Sequence, residues 1–246
     1  MSETIEAPAR PALANYVRGE WTASRSGETY EKRNPARPSE LIGEFPRSNG
    51  EDVDAAVAAA TETFPDWARM PAAARAAVLT RAAAAIDARV EDIARDMTLE
   101  MGKPLREARL EAARAGAIFR FFASQWSRAK GEIFEQSATG APVYTLRRPL
   151  GVVALITPWN FPAAIPAWKT APALAFGNTV VLKLAQEAPL TGLHLAACLE
   201  EGGLDPGVFN VVIGRGSEAG AALVRHPDVA AISFTGSVEV GHQVRD

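Results

Sequence analysis

The spacing of apolar and polar positions along this chain changes twice, and each change marks a new kind of element. Near the start, Asn15–Thr22 and Glu28–Asn34 alternate polar and apolar residues and are separated by polar Ser24–Gly27. Period-two alternation broken by turn residues predicts two strands of a small antiparallel hairpin. From Glu51 the period becomes helical, with Val53, Val57 and Ala60 recurring to about Trp67. Pro71 stands where a second helix begins, because a first-turn proline gives up no hydrogen bond. That helix, Ala72 to about Arg89, is alanine-rich and strongly helix-prone. A third is predicted to carry Asp92, Glu100, Met101, Gly102 and Lys103, with Gly102 as the C′ residue that ends it. A fourth is predicted from Leu105 to Ala129. Ile118, Phe119, Phe122 and Trp126 cluster along it as core, and its alternating arginines and glutamates read as a solvated face.

Beyond Val143 the pattern changes again, to short wholly apolar runs separated by helix-length segments. Val143 to Arg148 reads as a strand. Val152–Ile156 and Thr179–Leu182 are runs of the length expected for strands buried on both faces. The Phe161–Phe176 segment between them makes a strand–helix–strand crossover. Pro166 suits its first turn, whereas Pro172 predicts a kink or an early end. A helix Pro189–Glu201 stopped by Gly202–Gly203, a strand Val208–Ile213, a short helix Ser217–Arg225 and a strand Val229–Phe234 follow. A last helix opens at Ser237 and still runs at Asp246. This alternation predicts an α/β fold with a doubly wound, parallel, Rossmann-like sheet. Residues 1–13 read as a disordered lead, and 14–246 as one nucleotide-binding domain with an N-terminal hairpin and helices.

Composition narrows the classes further. The net charge of −3 over 246 residues gives no reason to expect nucleic acid or an anionic membrane as partner. Four prolines, Lys169 and Asn178 argue against a membrane span in the mostly apolar stretch from Gly151 to Lys183. The start of the chain lacks the apolar core of a signal peptide. A single cysteine, Cys198, excludes an intrachain disulfide and fits a reducing cytosol, so a cytoplasmic location is expected. Cys198 falls mid-helix with Leu195 and Leu199, the setting of an inert buried thiol, and His194 four residues earlier does not make it a dyad. No zinc-ligand spacing is present, and no metal is expected.

Candidate chemistry gathers at the crossover. In such units ligands collect beyond the carboxyl ends of the strands, where Thr157, Pro158, Trp159, Asn160 and Lys183 fall. A purely structural crossover explains the apolar runs but not an indole, an amide and a lysine at the strand ends. Taken alone, Asn160 reads as a helix N-cap or as a neutral hydrogen-bond donor at the ligand edge. Lys183 reads as a snorkelling surface lysine or a ligand group. Thr235-Gly236-Ser237 opens a helix, either as an ordinary cap or as an anion-binding N-terminus. Gly214 to Gly220 spells GxGxxxG rather than GxGxxG, late in the chain and without the acidic residue expected about 20 positions on, so it reads as a tight turn into a helix.

The segments PWNFP, AWKTAPALAFGNTVVLK and FTGSVEVG, in that order, resemble the aldehyde dehydrogenase superfamily. The likeness runs from about Asn15 to the last residue and overall is to semialdehyde dehydrogenases. It implies NAD or NADP as cofactor, contacted by Ile156, Thr157, Pro158, Trp159, Lys183 and Gln186 on one side and by Gly216, Gly236 and Ser237 on the other. By resemblance Lys183 serves the adenosine ribose, and Gly236 and Ser237 sit against the pyrophosphate. Asn160 helps form an oxyanion hole, and Phe161 and Trp168 flank the aldehyde channel, whose tunnel Phe122 and Trp126 border. Lys169 contributes to a proton path or makes a structural salt bridge. Many members carry glutamate where Gln186 stands, and often proline where Leu184 stands. The neutral amide removes a carboxylate that would repel a 2′-phosphate, so use of NADP alongside NAD is expected.

The family reaction uses a cysteine thiolate, hydride transfer and a glutamate base for thioester hydrolysis. In the family both catalytic residues lie downstream of FTGS, hence beyond Asp246. The chain is therefore expected to be a cofactor-binding part with the catalytic domain absent, inactive alone, the more so as it stops inside a helix. Its full-length form is expected to act on a small-molecule aldehyde as a homo-oligomer, with 136–149 as an arm pairing between subunits. The alternative is a short, non-catalytic nucleotide-binding or subunit-interaction module.

Overall fold

The computed structural model of the protein describes residues 11–128, 131–135 and 140–245. Most of the expected lead, the start of the expected arm at 136–139, the predicted end of the fourth helix at Ala129 and the terminal Asp246 lie outside the described residues.

Two short strands, β1 (Asn15–Val17) and β2 (Glu20–Thr22), pair antiparallel with each other, while β3 (Thr29–Asn34) pairs with β4 (Arg37–Pro46). The expected hairpin between the first two polar–apolar segments is therefore corrected. Arg18 and Gly19, both at positive φ, turn the chain within the first segment, and the second segment finds its partner downstream. Helices α1 (Gly50–Arg69), α2 (Ala72–Ala88), α3 (Val90–Met101) and α4 (Leu105–Ala123) follow. Asn49 caps α1 in a reciprocal box with Asp52. Gly102 ends α3 at φ 78°, a left-handed conformation that glycine adopts without steric penalty. The fourth helix stops at Ala123, short of expectation, and a 3-10 turn over Ser124–Ser127 follows. Trp126 on that turn is 51% exposed rather than core, Phe122 is half-buried, and Ile118 and Phe119 are buried.

After the small pair β5 (Ile133–Phe134) and β6 (Val143–Tyr144), the α/β part begins. It comprises β7 (Val152–Ile156), α5 (Ala164–Ala175), β8 (Thr179–Leu184), α6 (Pro189–Glu201), β9 (Phe209–Ile213), α7 (Ala221–Arg225), β10 (Val229–Phe234) and α8 (Val238–Arg245). Pro172 lies inside α5 and does not end it. The main sheet has the order β10-β7-β8-β9-β1-β2. Its first four strands are parallel, and β1 adds antiparallel to β9.

Alternation along each strand sorts the two faces. Val152, Ala154 and Ile156 join Val181 and Val212 in a cluster with Val53 and Val57 of α1 and Leu223 of α7. Val153 and Leu155 point the other way, with Leu182, Phe209 and Val211, into the larger core shared with α2 to α6. Covered on both sides, β7, β8 and β9 are buried at every residue. That is why they read as continuous apolar runs. Among the described residues no helix is long and apolar enough to cross a membrane.

Candidate functional site

Because β10, β7, β8 and β9 are parallel, their carboxyl ends share one sheet edge. Backbone bonds knit it together: Thr157 N–H donates to the Lys183 carbonyl at 3.4 Å, and Thr235 N–H to the Ile156 carbonyl at 3.0 Å. The segments Thr157–Phe161, Ala185–Glu187, Gly214–Ser217 and Thr235–Ser237 leave from this edge.

The loop after β7 carries Trp159, Asn160 and Phe161, all exposed. Among the described residues the Asn160 side-chain amide has no hydrogen-bond partner. It does not cap α5, which starts four residues later, so the cap reading is corrected. The first turn of α5 is satisfied by Glu111 of α4, whose Oε1 accepts from Ala163 N–H at 2.9 Å and Ala164 N–H at 3.1 Å. Ile165 N–H donates to the Phe161 carbonyl, and Pro166 has no N–H to satisfy. Glu111 is also ion-paired with Lys103, whose Nζ donates to the Asn160 carbonyl at 2.8 Å and lies 4.2 Å from the centre of the Phe161 ring. Glu111 is thus a buried exception to the solvated face expected of α4. A signal was present: Ala108, Glu111 or Ala112, and Ala115 form one helical stripe, so the glutamate occupies an apolar position.

At the end of β8, Lys183 is buried, which rules out a snorkelling surface lysine. It is the register partner of Ile156 and shares the sheet face of Val181. Desolvation depresses the ammonium pKa below its ordinary value, and the Glu187 carboxylate opposes that shift. Among the described residues the ammonium makes no hydrogen bond or close ion pair. The next loop is fixed from behind. Tyr30 Oη donates to the Gln186 carbonyl at 3.1 Å, and the Glu100 carboxyl accepts from Leu190 and Thr191 N–H, each at 2.8 Å. Pro189 opens α6 without an N–H, so Glu100 satisfies the donors that remain in its first turn. Glu100, too, sits on an apolar stripe, with Ile93 and Met97.

On the far side of β7, a cavity of about 440 Å³ is bounded by Ile156, Gly216, Ser217, Val224, Phe234 and Val240, among others. A Cβ on Gly216 would meet nothing within 4 Å, whereas one on Gly236 would lie 2.4 Å from the Phe234 ring. Any larger residue at Gly236 would have to displace the Phe234 ring at the strand end. Ser237 Oγ accepts from Val240 N–H at 3.3 Å, so its hydroxyl acts as the cap of α8. Gly214-Arg215 leads through a π-type turn, Gly216–Gly220, into α7, so the segment does turn into a helix, but by a wide turn rather than the tight one expected. A dinucleotide fits these surroundings on two counts. The apolar cavity suits a flat base, and a buried ammonium without an internal partner suits ligand hydroxyls or phosphate.

The remaining candidates divide. Lys169 reaches from α5 to β10, where Nζ donates to Ser233 Oγ at 2.7 Å; its described partner is a hydroxyl rather than the acid of a salt bridge, and desolvation lowers its pKa. Trp168 is exposed on α5, with the Arg114 guanidinium 5.1 Å from its ring centre. Cys198 is buried and its thiol pKa is pushed up to about 12, chiefly by desolvation, the reverse of what a nucleophile needs. His194 pairs with Asp96 across α6 and α3, Nε2 to Oδ2 at 2.8 Å, and not with Cys198. Among the described residues no cluster of three or more His, Cys, Asp or Glu could hold a metal ion.

A family model described as "Aldehyde dehydrogenase family" matches residues 21–246. The chain is 45% identical over 227 residues to the alpha-ketoglutaric semialdehyde dehydrogenase of Bacillus subtilis (strain 168), covering 92% of this chain and 46% of that protein. Its fold superposes on an NADP-dependent enzyme of E. coli with a TM-score of 0.93 at 37% identity, covering 96% of this chain and 49% of the other. For PnpE in complex with nicotinamide adenine dinucleotide the TM-score is 0.91 at 38% identity, covering 94% and 47%. The chain thus spans about half the length of the curated relatives it matches.

Proposed function

The chain belongs to the aldehyde dehydrogenase family, and we propose that the protein it forms part of oxidises a small aldehyde to the carboxylic acid with NAD or NADP. A dicarboxylic semialdehyde is the favoured substrate class, given the semialdehyde dehydrogenases among its relatives. The observation that carries this reading is the presence at one sheet edge of the Asn160 amide and the buried Lys183 ammonium, neither of them hydrogen-bonded to any described residue.

In this reading Lys183, Gln186 and the wall from Gly216 to Phe234 hold the dinucleotide, with Ile156, Thr157, Pro158 and Trp159 bordering it and Gly236 and Ser237 at its phosphates. The cofactor supplies a hydride acceptor. A cysteine thiolate from sequence beyond residue 246 adds to the aldehyde carbon, and the carbonyl π pair moves onto oxygen. The Asn160 amide donates to that oxyanion, a neutral donor already in place where charge develops. The adduct carbon would give up its hydride to the acceptor that the bound cofactor supplies, leaving a thioester that water would hydrolyse to the acid and the free thiolate, assisted by a glutamate base from the same remaining part of the protein. Phe161 and Trp168 flank the aldehyde's approach. Lys169, partly desolvated beside Ser233, contributes to proton movement.

The protein acts in the cytoplasm, without nucleic acid or membrane partners, as a homo-oligomer. Exposed Ile133, Phe134, Val143 and Tyr144 on the β5–β6 arm support pairing between subunits through the 136–149 segment. Residues 14–246 form its cofactor-binding domain. The test follows NAD(P)H formation with short aldehydes and semialdehydes for residues 1–246 and for the full-length protein. The chain alone should bind NAD(P) without turnover, and the full-length protein should turn over. Turnover by 1–246 that alkylation of Cys198 abolishes would overturn the assignment of the nucleophile. Binding without turnover in the full-length protein would favour a non-catalytic nucleotide module.

A further inference from the structure

We propose that Lys103 and Glu111 are positioning residues that lock the loop after β7 and thereby set the placement of Asn160. The inference rests on the oxyanion reading above for its catalytic consequence, but its structural content stands on contacts alone. Lys103 sits between the left-handed end of α3 at Gly102 and the start of α4 at Pro104, two backbone features that fix where its side chain departs. Its side chain is 10% exposed and that of Glu111 only 3%. Neither end of this pair is a mobile surface group, and a buried pair persists only when its remaining donors and acceptors are satisfied.

Those remaining groups are all on the loop. Glu111 spends one oxygen on Lys103 and the other on Ala163 and Ala164 N–H. Lys103 spends a second proton on the Asn160 carbonyl and lies against the face of the Phe161 ring. The loop is thus gripped at a carbonyl on one side of Pro162 and at two amides on the other. The backbone carbonyl of Asn160 is tied while its side-chain amide is left free. That is the arrangement a preorganised donor requires, because the residue's position is fixed without using its donor. A device that only stabilised the helix layer would have no reason to reach the carbonyl of this residue.

The test has two arms. Amide hydrogen exchange compares wild-type 1–246 with Lys103→Met, Lys103→Arg and Glu111→Gln. The methionine variant should speed exchange in 159–165 by about tenfold or more while β7 and β8 stay protected, with arginine restoring much of the protection. Unchanged loop exchange in Lys103→Met would overturn the proposal. So would acceleration spread evenly over the whole chain in all three variants. The second arm uses the full-length protein. There Lys103→Met should lower kcat by about tenfold or more with the NAD(P) Kd within about twofold, since a misplaced donor costs rate rather than cofactor affinity. In an Asn160→Ala background the same change should cost little further, because it acts through that residue. Independent, multiplicative losses would overturn the link to Asn160. Absence of any turnover in the wild type would instead fail the aldehyde-oxidation reading and leave the exchange result to decide the lock.

Discussion

The loops leaving β7 and β8 are built on one plan with different chemistry. Each is held by a buried glutamate from the helical layer that accepts two successive N–H groups at the start of the following helix: Glu111 for α5 and Glu100 for α6. Each is also held at a carbonyl, Asn160 by Lys103 and Gln186 by Tyr30. The difference is charge. Glu111 has a lysine in contact, and the pair cancels its own charge within the protein. Glu100 has a phenol nearby and no ion-pair partner among the described residues, so desolvation pushes its carboxyl up to about 7, against the Thr191 side chain, the backbone donors and the Lys32 ammonium, which favour the ionised form. The loop bearing the amide proposed to meet a developing oxyanion is locked by an ion pair. The loop proposed to face the cofactor ribose is locked by a group that titrates near neutrality.

If the two loops divide the work between chemistry and cofactor, their central residues should fail differently. In the full-length protein Asn160→Ala should lower kcat about 10²–10³-fold with little change in cofactor Kd, because the donor acts where charge develops. Lys183→Met should raise the NAD(P) Kd about tenfold or more, the worth of a lost charge-assisted hydrogen bond. Steady-state kinetics with cofactor titration separates the two. A collapse of cofactor affinity in Asn160→Ala with the chemical step intact would merge the loops into one function.

The parts of this plan that the sequence revealed are those driven by burial of whole runs. Val152–Ile156 and Thr179–Leu184 announce themselves because both faces of a central parallel strand are apolar. Pro189 and Gly102 mark helix ends through local backbone rules alone. The partners of β1 and β3 were not legible, because short alternating strands say which face is buried but not which neighbour pairs with them. Glu111 was read with the solvated face of its helix, and Glu100 only as a member of the third helix. Their position on the apolar stripes was visible, but the N–H groups that make burial tolerable lie 90 and about 50 residues away in the chain. Tertiary pairing of that range leaves no local signature.

The charge difference between the loops predicts a difference in pH response. Glu100 has a folded pKa of about 7 against an ordinary value of 4.5. Between those values the folded state binds more protons than the unfolded state, so stability falls as pH rises through that window and levels off above it. A shift of this size corresponds to about 3 kcal/mol at most. In Glu100→Gln that slope should disappear: urea midpoints at about pH 5 and pH 8 should differ less than in the wild type. An unaltered pH slope in the variant would mean that another group carries it, and the contrast between the two locks would lose its basis.

The finest distinction lies within the β8 loop itself. By the resemblance Gln186 stands where many family members carry a ribose-binding glutamate, yet a carboxylate is only one residue away, since Glu187 is exposed beside it and acts on Lys183. The backbone of Gln186 is held by Tyr30, so a substitution there changes the side chain without freeing the loop. A new carboxylate near a 2′-phosphate costs about 1 kcal/mol under water-like screening at contact range. Gln186→Glu should therefore lower kcat/KM for NADP relative to NAD by about fivefold, with the NAD value little changed. The effect should shrink with added salt, because the site is open to solvent. Glu187→Gln is the companion measurement. If that variant alone moves the NADP-to-NAD ratio, the carboxylate that Lys183 already feels is the discriminating one. The tolerance for NADP would then have to be argued from Glu187 rather than from the amide that replaces the family's glutamate.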